Sequence, residues 1–99
     1  MSGWFVYILE CDKSALYTGV TTDVERRYRE HLEGGIRSAK YTRSRRRLEL
    51  AYSVAVHDKA LAMRIEYRLK RLTASDKRHV MREGMELAGL VDYLGLAGN

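Results

Sequence analysis

Two tyrosines and a glycine near the N-terminus have the types and spacing to hold a phosphate group or a water molecule. They lie in two segments, 4–10 (WFVYILE) and 16–20 (LYTGV), with the apolar, aromatic and β-branched composition of strands. A hairpin centred on the short loop between these segments places Tyr7 opposite Gly19 and Tyr17 on the same sheet face. Gly19 would leave space beside the Tyr7 phenol, although tyrosine is also a common structural residue of sheet edges.

An arginine and a histidine follow in a predicted helix that begins near Asp23 and ends near Glu33. Arg27 lies at the edge of its apolar face and His31 near the middle, so the two stack on one side of the helix. An arginine at such an edge suits a phosphate because it donates paired hydrogen bonds and keeps its charge. For His31 alone, a hydrogen-bonded core histidine remains an alternative. The helix has three apolar residues at helical spacing: Val24, Tyr28 and Leu32.

A carboxylate, Glu66, lies at the edge of the apolar stripe of a longer helix predicted from Asp58 to about Leu72. One carboxylate at a core edge can hold a divalent cation when water and a substrate phosphate complete the coordination. The alternative is an ordinary ion pair with Lys70, four residues later.

The positive charge of the chain is concentrated in one window. The formal net charge is +5, and residues 37–47 contain no acidic residue. Outside that window the chain has 12 basic and 13 acidic residues. Such a patch predicts a polyanionic partner, nucleic acid first, with a solubilising loop as the alternative. The six basic residues are Arg37, Lys40, Arg43, Arg45, Arg46 and Arg47.

Composition excludes several classes of protein. With 99 residues, 45% of them hydrophobic and 31% charged, we expect a single globular domain over 1–99. No apolar run approaches the roughly 20 residues that span a bilayer, so no membrane partner is expected. The single cysteine, Cys11, rules out an internal disulfide and multi-cysteine zinc sites, and favours a reducing cytoplasm. Without a glycine-rich nucleotide loop, no small-molecule cofactor is expected.

The predicted fold class is α+β, a small three-stranded antiparallel sheet flanked by helices in the order β-β-α-β-α-α. Residues 4–10 should form the central strand because they are apolar on both faces. A further helix is predicted to begin at Ser75 or Asp76, and Gly84 interrupts it. A weaker terminal helix follows from Met85 to Leu94. The third strand, 48–56, alternates strictly, which predicts one apolar face made of Leu48, Leu50, Tyr52, Val54 and Val56.

Taken together, these motifs resemble the GIY-YIG nuclease domain, in its small stand-alone, single-domain bacterial branch. The two halves of the family's name match 5–7 (FVY) and 17–19 (YTG), although Phe5 replaces the glycine of the first triplet. The family's arginine-to-histidine helix matches 23–31 (DVERRYREH), and its glutamate matches Glu66. The resemblance extends over about 4–81, and its branch is indicated by Lys40 to Arg43 followed by Arg45 and Arg46.

The resemblance implies hydrolysis of DNA phosphodiester bonds, in DNA repair or processing, with one divalent ion, Mg²⁺ or Mn²⁺, at Glu66. It implies that Tyr7 and Tyr17 bracket the phosphate, with Tyr7 or a water it orients as the nucleophile. Arg27 would stabilise the transition state, and His31 would support the proton path or hold a tyrosine. The expected partners are DNA, including branched or damaged DNA, and a protein that supplies targeting. The nucleic-acid-binding residues would be Lys40, Tyr41, Arg43, Arg45, Arg46 and Arg47.

Two other functions remain compatible with the sequence. A non-catalytic nucleic-acid-binding module could use the basic 37–47 loop, with tyrosines stacking on unpaired bases. A small interaction domain could instead bind a larger protein through apolar residues between Met85 and Leu96. A nuclease needs Glu66 and a metal ion, whereas a binding module needs neither.

Overall fold

The computed structural model describes residues 3–11, 15–33 and 48–96. Its three strands are β1 (Trp4–Cys11), β2 (Ala15–Thr21) and β3 (Leu48–Val56). They form one antiparallel sheet in the order β2-β1-β3. The central position predicted for the first strand is therefore confirmed, and β2 is an edge strand.

Four helices complete the described fold: α1 (Val24–Glu33), α2 (Lys59–Lys70), α3 (Ala74–Glu83) and α4 (Leu87–Tyr93). The α+β class is confirmed, and the described order is β-β-α-β-α-α-α because the terminal helix forms separately. Gly84 separates the last two helices and has φ 58°, a left-handed conformation that glycine adopts readily. The predicted starts of α3 at Ser75 or Asp76 are wrong, since the Thr73 hydroxyl accepts from the Asp76 N–H at 3.1 Å and caps the helix earlier.

The main core lies on one face of the sheet, beneath α2, α3 and α4. Alternate residues of β1, such as Val6 and Ile8, face helix residues such as Ile65 and Leu69, and all four are fully buried. Tyr7 points to the opposite face, where α1 lies and its His31 meets the phenol. Within the described residues, no helix has the length and apolar character needed to cross a membrane.

The single apolar face predicted for β3 is wrong at its N-terminal end. Ile8 pairs with Tyr52 and Leu9 pairs with Leu50, so Ala51 is an extra residue in β3. This bulge reverses the alternation, and Leu50 therefore shares the face of Leu9 and is 40% exposed. Leu48 pairs with Cys11 beyond the bulge and is buried on the α1 side, whereas the predicted core positions are confirmed for Tyr52, Val54 and Val56.

The apolar stripe predicted for α1 is also partly wrong. Leu32 is 52% exposed, whereas His31 is 2% exposed and is the buried residue of this helix. Tyr28 is half-buried, and its hydroxyl donates to the Leu48 carbonyl at 2.9 Å. The position predicted for His31 near the middle of the inward helix face is therefore confirmed, whereas the burial expected for Leu32 is wrong.

Candidate active site

The hairpin brings Tyr7 and Tyr17 to one face of the sheet. Tyr7 pairs with Gly19 and Leu9 pairs with Tyr17, which is the register predicted from the loop between the strands. The two phenol rings lie 6.3 Å apart between centroids. His31 of α1 completes this group, with ring centroids 6.2 Å from Tyr7 and 5.1 Å from Tyr17. We refer to these three rings as the tyrosine–histidine cluster.

Gly19 permits the position of the Tyr7 ring. A β-carbon placed on Gly19 would lie 2.5 Å from the Tyr7 hydroxyl oxygen and 2.6 Å from the ring carbon that carries it. Contacts this close force one of the two groups to move, so the ring can cross β2 only where the strand has no side chain. The phenol therefore extends over the edge strand β2.

We expect Gly19→Ala to destabilise the fold by about 1–3 kcal/mol and to displace the Tyr7 ring, because the new methyl group overlaps the phenol. Urea denaturation of the variant and the wild type measures the loss. Gly89→Ala is the matched control, because a β-carbon on this helical glycine meets nothing within 4 Å. A Gly19→Ala protein as stable as the wild type, with an unchanged Tyr7 environment, would contradict this steric role.

A buried hydrogen bond links the Tyr7 hydroxyl to His31 Nε2 over 3.2 Å. Burial and the proximity of Tyr17 raise the pKa of Tyr7 to about 12, against the opposing effect of Arg27. Burial, together with the positive charge of Arg27, lowers the pKa of His31 to about 4. At neutral pH the phenol therefore keeps its proton and the imidazole is neutral. In the tautomer protonated on Nδ1, the phenol donates to Nε2.

Arg27 lies beside this cluster and is held by a carboxylate. Its Nη1 donates to Glu30 Oε1 at 3.0 Å, and both side chains are about one-fifth exposed. Burial opposes the charge on Arg27, but its hydrogen bonds to Glu30 and Tyr7 raise its pKa overall. The guanidinium is thus a permanent positive charge next to the phenol. Glu30 was not predicted as a site residue from the sequence. Its spacing of three residues from Arg27 is the signal that could have indicated this ion pair.

Glu66, on α2 at the other face of the sheet, lies within electrostatic range of the same phenol, which extends over the edge strand β2. Its negative charge is close enough to contribute to the raised pKa of Tyr7, after burial and Tyr17. The alternative ion pair is also present, since Lys70 Nζ lies 3.3 Å from Glu66 Oε2. The Lys70 side chain is 53% exposed, so this pair contributes only about 0.5 kcal/mol.

Glu66 has the donor chemistry to hold a hydrated divalent cation as its single carboxylate ligand. Mg²⁺ is commonly bound through one or two carboxylates, with waters and substrate phosphates completing the octahedron. The Glu66 side chain is 18% exposed and is reachable from solvent. The described residues contain no group of three or more His, Cys, Asp or Glu side chains that could hold an ion. A cation at Glu66 would therefore depend on water and substrate for most of its ligands.

The basic loop predicted from the sequence lies within residues 34–47, outside the described part of the chain. The nucleic-acid-binding role predicted for this loop stays a prediction. The structure does bring together residues from four elements, β1, β2, α1 and α2, that are up to 59 positions apart in sequence. These are Tyr7, Tyr17, Arg27, His31 and Glu66. The residues of the loop prediction are Lys40, Tyr41, Arg43, Arg45, Arg46 and Arg47.

Comparison with curated proteins finds close relatives of similar length. The UPF0213 protein YhbQ of Escherichia fergusonii is 45% identical over 94 residues, covering 95% of this chain and 92% of the relative. The UPF0213 protein YhbQ of Escherichia coli O9:H4 shows the same identity and coverage. These names state no activity. The coverage shows that the similarity extends over almost the whole chain.

A solved structure and a family model agree with this placement. The solution NMR structure of the UPF0213 protein BH0048 from Bacillus halodurans is 43% identical, with a TM-score of 0.52. The similarity covers 83% of this chain and 84% of that one. The model of the GIY-YIG catalytic domain matches residues 3–79, which include all four elements of the candidate site. With its motifs, its sheet and its relatives in agreement, the chain belongs to the GIY-YIG nuclease family.

Proposed function

We propose that this protein is an endonuclease that hydrolyses DNA phosphodiester bonds with one divalent metal ion. The observation that carries the proposal is the buried hydrogen bond between the protonated Tyr7 phenol and neutral His31, beside the fixed charge of Arg27. A phosphodiester needs its charge neutralised, a water deprotonated and a leaving oxygen stabilised. These side chains have the chemistry to meet the first two requirements.

Tyr7 and His31 form a path for one proton. A water beside the phenol gives a proton to Tyr7 Oη while Oη passes its own proton to His31 Nε2, so the phenol is unchanged at the end. A pKa of about 12 makes a free phenolate rare at neutral pH, which favours water over Tyr7 itself as the nucleophile. His31 becomes a stronger base once a phosphate offsets the charge of Arg27, which helps to lower its pKa in the free protein.

Arg27 and Tyr17 hold the phosphate in this scheme. Arg27 donates hydrogen bonds to the non-bridging oxygens, where charge develops in the transition state. Tyr17 lies on the same sheet face as Tyr7 and packs its ring against His31, so it limits where the phosphate can lie. A metal ion held by Glu66, when bound, would supply charge neutralisation for the phosphate and the leaving oxygen.

Nicking of supercoiled plasmid in increasing Mg²⁺ or Mn²⁺ tests the proposal, and Glu66→Gln is the informative variant. We expect this variant to cleave about 10- to 100-fold more slowly, because the neutral amide is a poorer ligand for the cation. We also expect part of the loss to be recovered at higher metal concentration. EDTA should abolish cleavage by the wild type.

The matched control is Glu83→Gln, which removes one exposed carboxylate from α3. Breaking the exposed pair with Lys70 costs too little to unfold the protein, so lost cleavage by Glu66→Gln would report on the site. Equal metal-dependent cleavage by wild type and both variants would contradict a metal site at Glu66.

The alternative is a nucleic-acid-binding module without catalysis. The ion pair between Glu66 and Lys70 is the observation that favours it, because it gives this carboxylate a role that needs no metal. Wild type and Glu66→Gln proteins that bind DNA equally and leave it uncut would establish this alternative.

We further propose a role in DNA repair or processing, on branched or damaged DNA, with a protein partner that supplies targeting. A reducing cytoplasm suits the single thiol, since Cys11 is buried within β1 and no second cysteine exists in the chain. Synthetic flap, branched and nicked substrates offered in parallel with linear duplex measure this preference.

A further inference from the structure

A cationic surface lies on the outside of α2, apart from the tyrosine–histidine cluster. Between positions 59 and 71 the chain has five basic residues and one acidic residue, Glu66. Outside the 37–47 window the basic and acidic residues nearly cancel, because acidic residues elsewhere offset the positive charge of this helix. The basic residues are Lys59, Arg64, Arg68, Lys70 and Arg71.

The two flanks of α2 face different parts of the molecule. Arg68 donates to the Leu94 carbonyl at 2.8 Å, so its flank faces the segment after α4. Glu66 lies about 160° away around the helix, on the flank that approaches Tyr7. The surface between these flanks points away from the sheet, and it joins the candidate active site on one side to the α4 region on the other.

The centre of this surface is an exposed aromatic side chain flanked by arginines. Tyr67 is 60% exposed and Met63, one turn earlier, is 46% exposed. The Arg71 guanidinium lies over the Tyr67 ring, 5.3 Å from its centroid. Arg64 lines an open groove with Met63, Tyr67 and Leu96. We call Met63, Arg64, Tyr67 and Arg71 the α2 stripe.

We propose that the α2 stripe is a nucleic-acid contact surface continuous with the active site. Arg64 and Arg71 bind backbone phosphates on the two sides of Tyr67, and the exposed Tyr67 ring packs against a nucleotide. Charge complementarity selects this partner, because the stripe contains two guanidinium groups and no carboxylate. This inference rests on the proposed function for its choice of DNA, but it concerns binding and not cleavage.

Binding of fluorescently labelled DNA, followed by anisotropy in EDTA over a range of salt concentrations, tests the arginines. For Arg64→Gln and for Arg71→Gln we expect weaker binding and a salt slope reduced by about 0.9 on duplex and about 0.7 on a single strand. Arg82→Gln is the matched control, because it removes one exposed charge from α3, outside the α2 stripe. It should bind as the wild type does.

The tyrosine is tested with the same oligonucleotides. Tyr67→Ala should weaken binding of a single strand about tenfold, the loss of one stacked base, and should weaken duplex binding less. Tyr93→Ala is its control, because Tyr93 is also a partly exposed ring, 5.6 Å from His79, and lines a separate groove between α3 and α4. An unchanged affinity for Tyr67→Ala would overturn the stacking role.

The outcomes separate this inference from the proposed function. If the wild type cuts plasmid and the α2 variants bind DNA as tightly as the wild type, the inference fails and the nuclease stands. If no protein cuts DNA but the α2 variants bind it more weakly, the surface is supported and the proposed nuclease fails. Equal losses for the stripe variants and for Arg82→Gln and Tyr93→Ala would also overturn the inference, since binding would then follow net charge and exposed rings generally.

Discussion

Tyr7→Phe is expected to lower the DNA cleavage rate by about 10²- to 10⁴-fold, the range that a positioned proton-transfer group contributes. The variant keeps the ring that crosses Gly19 and removes only the hydroxyl, which is hydrogen-bonded to His31 Nε2. Without it, a water has no route for its proton to the imidazole. Single-turnover cleavage of a labelled DNA duplex at saturating Mg²⁺ measures the chemical step apart from binding.

The matched control for this change is Tyr52→Phe. Burial raises the pKa of Tyr52 to about 12, as for Tyr7, and its hydroxyl donates to the Met85 carbonyl at 2.6 Å. Tyr52 lies in the main core on the other face of the sheet, so its loss should cost about 1 kcal/mol of stability and leave cleavage unchanged. Comparable loss of cleavage in both variants would mean that Tyr7 acts through stability and not through its proton.

The hairpin half of the site could be predicted from sequence because its geometry is local. A short loop fixes the register of two adjacent strands, and the strict alternation of a strand then determines which side chains share a face. The opposition of Tyr7 and Gly19 followed from those two rules. The sequence alone showed that Gly19 leaves space, but only the structure shows that the phenol fills that space.

Longer-range features could not be derived from periodicity. The bulge at Ala51 in β3 depends on how that strand pairs with β1, so strict alternation misplaced Leu50. Likewise, the apolar side chain of Leu32 was expected to be buried but is 52% exposed, whereas His31, predicted near the middle of the same helix face, is buried and hydrogen-bonded to Tyr7. Packing partners, and not intrinsic hydrophobicity, decided both cases.

The contact made by Arg68 on α2 is another long-range feature that helical periodicity does not predict. Arg68 lies near the apolar stripe of the helix, and its guanidinium donates to the Leu94 carbonyl and joins α2 to the end of α4. Helix C-termini leave carbonyl groups without partners in the helix, and a distant cation can satisfy them. Sequence spacing within one helix contains no information about that distant carbonyl.

The hydrogen bond between Arg27 and Glu30 affects how Arg27 can bind a phosphate. The 3.0 Å contact orients the guanidinium but also competes with a phosphate for its N–H groups. A guanidinium has five donors, so it can keep Glu30 and still present others to a phosphate. A lysine ammonium at the same position could neutralise charge, but it could not hold both partners in a fixed plane.

Arg27→Lys is therefore expected to lower cleavage by about 10²- to 10³-fold, the effect of removing one oriented donor from a developing negative charge. Binding of uncut DNA should change far less, because the positive charge is conserved. Arg26→Lys is the control, since Arg26 also approaches Glu30, at 3.8 Å, but its side chain is 53% exposed. Single-turnover cleavage that falls for Arg27→Lys alone would support an oriented guanidinium at the phosphate. Cleavage unchanged in both variants would show that any cation suffices there, and the transition-state role of Arg27 would have to be abandoned.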